Sequence, residues 1–296
     1  MVVTYNSRRT VEGLLRSLPD ALGSTPASVR IVDNGSTDAT ADLVDELDLP
    51  LSDLAVVRST NLGYSAGINR GVAASPPSRA VLILNPDVRL DPGCLAPMLA
   101  ALARPGTGIV APRLRDAAGT RSDSLRRKPS LGRATGLAFT GLSALSEFVT
   151  DDAAYASSHR VDWATGAVLL VDRACHEALG GWDERYFLYS EETDFCLRAA
   201  DLGWATTYEP SASAVHIGGE SGRNDRTHTM QIVNRVRFYA RRNGRARGWV
   251  YYALTLLSEL SWVLRGHPQS RVAIRALLHP ASRPPELGCS DTLLPG

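Results

Sequence analysis

Three acidic residues, Glu191, Glu192 and Asp194, fall within four positions of the run Tyr189-Ser-Glu-Glu-Thr-Asp-Phe-Cys-Leu-Arg198. At a helix N-terminus the dipole tolerates such charge. Mutual repulsion raises the pKa of at least one carboxyl, which suits a general base. Helical spacing sets residues 191 and 194 on one face and 192 on another. One carboxylate can then face a cleft while another holds a structural partner such as Arg198; ordinary N-terminal helix charge is the plainer reading. A further acid, Asp87, closes Asn85-Pro86-Asp87 directly after the apolar run Ala80–Leu84. A carboxylate beside a buried strand is costly without a partner. A divalent cation is a natural one, because magnesium is usually held by one or two carboxylates together with substrate phosphates. Capping of the following turn is the alternative for Asp87. His216, in the Gly-rich His216-Ile-Gly-Gly219-Glu-Ser221, has the chemistry of a metal or phosphate ligand, although a lone loop histidine is more often neither.

Two further clusters are polar and small. Asp33 and Asn34 follow a strand-like run and can pair with the imide or carbonyl edge of a pyrimidine base; a turn role for Asp33–Asp38 competes. Asn61-Leu-Gly-Tyr-Ser-Ala-Gly67-Ile-Asn69-Arg-Gly71 is rich in small residues at a helix start. Gly63 and Gly67 there would let a ligand approach the backbone closely, or allow a tightly packed helix.

The elements that must position these groups alternate. Strands are predicted at Met1–Tyr5, Val29–Asp33, Ala55–Arg58, Ala80–Leu84 and Gly108–Ala111. Helices are predicted at 11–18 with Pro19 as a stop, and at 40–47, 65–73 and 94–102. This order argues for an α/β fold with a mostly parallel central sheet flanked by helices. Ligands of such sheets bind beyond the carboxyl ends of the strands, which singles out Thr4, Tyr5, Asn6, Asp33–Ser36, Arg58–Gly67 and Asn85–Asp87. Residues 113–162 are irregular and include the basic run Arg126-Arg127-Lys128, either a solvated loop or the wall of a second substrate's pocket. A strand over Trp163–Val171, helices over 173–179 and 191–201, an edge strand over 205–208 and C-terminal helices over 231–242 and 249–264 follow. The tail from Pro280 has little pattern.

Composition narrows the classes. The 296 residues are 44% hydrophobic and 21% charged, an ordinary globular balance with ample length for a core. A net charge of +1 gives no reason to expect a nucleic-acid partner. Cys94, Cys175, Cys196 and Cys289 form no CxxC pair, so a reducing, cytoplasmic setting fits better than a disulfide framework or zinc knuckle. Nothing near Met1 has the form of a signal peptide. Trp249–Leu264 is the longest apolar stretch, and Glu259 interrupts it short of a membrane span. Gly106-Thr-Gly-Ile-Val-Ala111 matches GxGxxA but leads into a strand, not a helix, so it is set aside as a dinucleotide site. No P-loop motif occurs.

The segments VTYN, IVDNGSTD, NxGxxxGxN, LNPD, GAxLLxxR, GGWDExYFxYxEExDxCxR and HxxGxS, in that order, resemble glycosyltransferase family 2, and within it the rhamnosyltransferase-like branch. The resemblance covers about residues 1–245. It implies a GT-A fold, with a nucleotide-binding half over about 1–112, an acceptor-binding half over about 113–245 and a helical extension over 246–296. The implied reaction is inverting, metal-dependent transfer of a sugar from a nucleoside diphosphate. The donor would be a dTDP-sugar such as dTDP-rhamnose, with UDP or GDP sugars as alternatives. The acceptor would be a hydroxyl of a glycan, a lipid-linked acceptor or a small molecule. Thr4, Asp33 and Asn34 would lie by the base and ribose, and Tyr5, Asn6, Asn61, Gly63 and Asn85 would complete the nucleotide site. Asp87 matches the last acid of the family's DxD motif and His216 a histidine near the diphosphate; together they would hold Mg²⁺ or Mn²⁺. Trp182, Asp183 and Gly166 would line the sugar and acceptor pocket. Glu192 stands at the base position as a glutamate where the family usually has aspartate, which leaves the choice between Glu191 and Glu192 open. The first strand begins at the chain's first residues, where relatives usually have a few more. A nucleotidyltransferase on a related scaffold and a non-catalytic sugar-nucleotide-binding protein are the competing readings. The basic run Arg235, Arg237, Arg241, Arg242, Arg245 and Arg247 before an apolar helix suggests peripheral membrane contact through 231–264, at the inner face of the membrane; a solvated basic helix end is the alternative.

Overall fold

The structure is a computed structural model describing residues 1–218 and 224–288. In chain order its elements are β1 (Val2–Thr4), α1 (Val11–Leu22), β2 (Val29–Asp33), α2 (Thr40–Glu46), β3 (Leu54–Arg58), α3 (Tyr64–Ala73), β4 (Ala80–Leu84), β5 (Val88–Leu90), α4 (Leu95–Leu102), β6 (Thr107–Arg115), β7 (Leu125–Arg126), α5 (Leu131–Ala134), β8 (His159–Val161), β9 (Trp163–Ala164), β10 (Val168–Asp172), α6 (Arg173–Ala178), α7 (Glu191–Asp201), β11 (Ala205–His216), α8 (Asp225–Asn243), α9 (Arg245–Leu264) and α10 (Gln269–Leu278).

The main sheet runs β3-β2-β1-β4-β10-β6-β11-β5, with β8 also on β11. Strands β3, β2, β1, β4, β6 and β11 point one way; β10, β5 and β8 run against them. Successive side chains of a strand face opposite sides of a sheet. Val2, Ile31 and Leu170 accordingly join one core with Leu14, Leu15 and Leu18 of α1 and Met98 of α4. Val3, Val32 and Leu169 join the other, with Ile68 of α3 and Phe195 of α7. Complete burial of each such side chain stabilises the fold by about 1.5–3 kcal/mol. Helices α8, α9 and α10 build a separate apolar cluster around Val233, Tyr251 and Ala273. No described helix is long and apolar enough to cross a membrane.

Several sequence expectations are corrected. α1 runs through Pro19 to Leu22, because the ring removes one bond and Gly23 N–H still closes the end on the Pro19 carbonyl. The single strand expected over 163–171 is two, β9 and β10, which belong to different sheets. β6 continues past Pro112, which lies opposite Glu209 where the pairing with β11 changes register. The basic residues of α8 divide: Arg241 and Arg242 in its last turn are exposed, whereas Arg235 and Arg237 turn inward. Arg235 is half-buried and binds Glu147 at 2.5 Å and the Tyr251 hydroxyl at 2.7 Å, and Arg242 binds Asp201 at 2.6 Å. Arg237 is buried.

Candidate active site

Strand ends assemble the site. β10 lies antiparallel to β4 with Val168 opposite Leu84, so the turn preceding β10 meets the turn following β4. Asn85 N–H donates to the Ala167 carbonyl at 2.9 Å. Gly166, next in that turn, stands against the Cβ of Glu192. On the other side β11 ends at His216, paired with Val88, and Ile217 N–H donates to the Asp87 carbonyl at 3.0 Å. These two pairings bring Asp87, His216, Gly166 and Glu192 to one end of the sheet, although they are far apart in sequence.

Tyr64 links the groups. Its hydroxyl donates to Asn85 Oδ1 at 2.8 Å. Burial pushes its phenol well above the ordinary tyrosine range, and the negative charges of Glu191, Glu192 and Asp87 push it further. One phenol thus senses all three carboxylates. The sequence reading gave Tyr64 no role; an aromatic hydroxyl one residue after Gly63 at a helix start was the available signal.

The two glutamates differ in environment. Glu191 is buried, and burial followed by the charge of Glu192 raises its carboxyl well above the usual range. Glu192 is only partly buried. Its carboxyl is also raised by burial, against backbone hydrogen bonds from Glu192 itself, Thr193 and Gly166 and the positive charge of Arg126 on β7. Oε2 of each glutamate lacks a hydrogen-bond partner among the described residues. The preceding turn is strained: Tyr189 and Ser190 have φ of 68° and 74°, a region that side chains rarely adopt. Asn234, fully buried on α8, clamps this turn by donating from Nδ2 to the carbonyls of Leu188 at 2.9 Å and Tyr189 at 3.2 Å. Arg237 donates to Asn234 Oδ1 at 2.9 Å and to the Leu287 carbonyl at 2.9 Å. Nothing in the α8 sequence alone pointed to this clamp.

Asp194 is engaged by an arginine of its own helix. It binds Arg198 at 2.6 Å, and Arg198 also donates to the carbonyls of Leu179 and Gly181, tying α7 to the Gly180-Gly181 turn. Trp182 is buried and stacked on Phe195 at 4.4 Å, so its ring is core and does not line a pocket. Its backbone is held by Asn69, which accepts from Trp182 N–H and donates to its carbonyl, both at 2.9 Å. Asp183 is engaged by Arg185 at 2.6 Å.

At the β1 and β2 ends, Asp33 accepts from the Thr4 hydroxyl at 2.9 Å and from Ser36 N–H at 3.0 Å and Oγ at 2.5 Å. Asn34 donates to the Gly63 carbonyl at 3.0 Å. Asn6 accepts from Thr37 N–H at 2.8 Å, and Asn61 from Gly63 N–H at 3.1 Å. Tyr5 is exposed. These polar groups therefore build the floor of the crevice by binding one another. The glycine reading narrows as well. A Cβ on Gly63, at φ 98°, would collide with the Phe187 backbone, and one on Gly67 with Val3. Both glycines admit close packing of protein, the second of their two readings; Tyr64 N–H closes on the Phe187 carbonyl at 2.8 Å.

The acid and the imidazole fit a cation. Asp87 Oδ1 and His216 Nε2 lie 3.3 Å apart, the carboxylate buried and the imidazole partly open to solvent. No group of three or more His, Cys, Asp or Glu side chains able to hold a metal occurs among the described residues. Two protein ligands leave the remaining positions for phosphate oxygens and water, as magnesium sites usually do. Gly219 and Ser221 of the HxxGxS segment, and Cys289, lie outside the described residues.

The model of glycosyl transferase family 2 matches residues 1–159, more than half of the chain. The chain belongs to glycosyltransferase family 2. This family 2 glycosyltransferase is 32% identical over 291 residues, 93% of each protein, to a Mycobacterium tuberculosis protein named N-acetylglucosaminyl-diphospho-decaprenol L-rhamnosyltransferase. Its fold is GT-A. Among solved structures it is similar to the mannosyltransferase PcManGT from Pyrobaculum calidifontis in complex with GDP-Man and Mn²⁺, with a TM-score of 0.57 at 16% identity over 99% of this chain and 82% of that one. It is equally similar to S. aureus TarS 1–349 in complex with UDP-GlcNAc, with a TM-score of 0.57 at 14% identity over 97% and 81%. Family membership makes the chain a sugar transferase and sets aside the nucleotidyltransferase reading.

Proposed function

We propose that this enzyme transfers a sugar, with inversion, from a nucleoside diphosphate to a hydroxyl of a glycan carried on a lipid diphosphate. The observation that carries the reading is the meeting of Asn85-Pro-Asp87 and Glu191-Glu192 around Tyr64. The likeness to a protein named as an L-rhamnosyltransferase of a diphospho-decaprenol supports L-rhamnose as the sugar transferred and a lipid-linked acceptor; dTDP is the nucleotide that the family resemblance implies.

Asp87 and His216 would hold Mg²⁺ or Mn²⁺ against the donor diphosphate. A divalent ion there offsets the negative charge that grows on the leaving nucleoside diphosphate. Glu192 is the base: it is the more accessible glutamate, and Arg126 and backbone donors favour its ionised form. An acceptor hydroxyl is a poor nucleophile until such a carboxylate takes its proton. Glu191 is deeper, and burial beside Glu192 favours its neutral form, which limits repulsion in the pair. Base and leaving group on opposite faces of the anomeric carbon give inversion without a covalent enzyme intermediate. The nucleotide rests over the floor formed by Thr4, Asp33 and Asn34.

The test is turnover of a nucleotide-sugar panel with and without Mn²⁺ on a short-chain glycosyl-diphospho-prenol, with the product's anomeric configuration read by NMR. Transfer from dTDP-rhamnose with inversion is expected. Retention of configuration would contradict the assignment of Glu192 as base.

A further inference from the structure

Helix α9 has two unlike faces. Gly248, Tyr251, Thr255, Ser258 and Glu259 are buried against its neighbours. Its outer side carries Trp249, Val250, Leu257, Leu260 and Leu264, all exposed, Leu264 to 81%. At about 100° per residue these five lie within an arc of about 100°, and Ala246 and Ala253 fall inside the same arc. No polar residue interrupts the stripe, which follows the helix for about 30 Å. The exposed Leu137, Phe139 and Leu142 extend the apolar surface. Their segment is fixed to α9: Gly136 abuts Ser258, and the Arg265 guanidinium sits 3.9 Å above the Phe139 ring.

The charge around this face has one sign. Arg245 lies about 40° outside one edge of the stripe, and Arg247 and Arg265 about 60° outside the other. Residues 244–278 also include exposed Arg271 and Arg275, and their single acid, Glu259, is buried on His228 at 2.9 Å. A second copy seated on this face would set arginines against arginines, which disfavours self-pairing. An anionic bilayer satisfies both the apolar stripe and its cationic margins, as interfacial helices do.

We infer that the outer face of α9, with the Leu137–Leu142 segment, is a docking surface for an anionic lipid bilayer. This deepens the lipid-linked acceptor reading and rests on it for the choice of a bilayer as occupant. It also moves the membrane contact off α8, whose Arg235 and Arg237 are bound internally. The chain leading to this face passes the base: β7 brings Arg126 beside Glu192 and continues into α5 and the Phe139 segment.

Three proteins would be compared by co-sedimentation with vesicles of phosphatidylglycerol and phosphatidylcholine, and of phosphatidylcholine alone: the wild type, L257S/L260S and R245Q/R247Q/R265Q. The wild type should bind the anionic vesicles, more weakly at high salt. The leucine variant should lose at least tenfold in affinity, and each removed arginine roughly fivefold on anionic vesicles only. Circular dichroism and unchanged transfer to a water-soluble short-chain glycosyl-diphospho-prenol confirm that the variants are folded. Wild-type binding that neither variant weakens, or no wild-type binding while transfer to the soluble acceptor proceeds, overturns the docking surface alone. A concentration-dependent dimer in analytical ultracentrifugation that L257S/L260S dissolves overturns it in favour of a subunit interface. Vesicle binding as expected, with no transfer to any diphospho-prenol acceptor, supports the docking surface and overturns the acceptor reading alone.

Discussion

Asn234→Ala should uncouple catalysis from binding. Asn234 acts on the turn before α7 and not on the strand ends that carry Asp87 and His216: its Nδ2 donates to both the Leu188 and Tyr189 carbonyls. Two neutral hydrogen bonds contribute about 2 kcal/mol together. Holding Tyr189 and Ser190 left-handed costs about 1–2 kcal/mol each. The clamp and the strain are thus of similar size, and without the clamp the turn relaxes and Glu191 and Glu192 shift. A displacement of 1 Å in a reacting group costs about 10²-fold in rate. Initial-rate kinetics on Asn234→Ala should therefore show kcat reduced by about 10–100-fold with donor KM nearly unchanged. Thermal unfolding should fall by less than the about 4–8 °C that 2 kcal/mol alone would give at about 2–4 °C per kcal/mol, because the relaxed turn returns part of its strain. Adding Ser190→Gly should restore part of kcat, because glycine takes the left-handed conformation without steric cost. A lowered melting temperature with full kcat, or no recovery in the double variant, would show that the clamp does not hold the glutamates in place.

Other outcomes follow from the same geometry. Glu192→Gln should lower kcat by about 10²–10⁴-fold while the protein still binds donor, as measured by titration calorimetry. Because the base acts ionised and its carboxyl is raised, wild-type kcat should rise with pH through a value above the ordinary glutamate range; a limb at or below that range would contradict the burial argument. For Glu191 the folded-state pKa lies above the unfolded one, so its protonated form contributes stability at low pH that is lost as pH rises through the folded value. Glu191→Gln should then raise the melting temperature at alkaline pH, and the gain should vanish near pH 4. Tyr64→Phe, which removes the bond to Asn85, should reduce kcat/KM by roughly tenfold, equivalent to about 1.4 kcal/mol, with the fold intact by circular dichroism.

Much of this site was legible in the sequence because each part of it ends a local element. Ala80–Leu84 is apolar throughout, so Asp87 could be placed just beyond a buried strand, and the acidic run marked the start of α7. What one sequence does not carry is pairing across distance. β5 has only Val88, Arg89 and Leu90, too few for a periodicity, and exists because β11 lies beside it. Gly63 and Gly67 signal close approach but not by what; Phe187 and Val3 supply the answer. The resemblance makes Trp182 a pocket wall, but its ring is buried and stacked on Phe195, a contact across distance that its motif does not carry. Arg235 and Arg237 look solvated until Glu147 and the Leu287 carbonyl turn them inward.

The account depends on Asp87 and Glu192 serving one reaction from opposite walls of a crevice. The most direct measurement is donor binding and turnover by Asp87→Ala, with Mn²⁺ varied. The wild type should bind nucleoside diphosphate more tightly as Mn²⁺ is added, and the variant should lose that gain together with turnover. Undiminished transfer, or an unchanged response to Mn²⁺, would contradict the account.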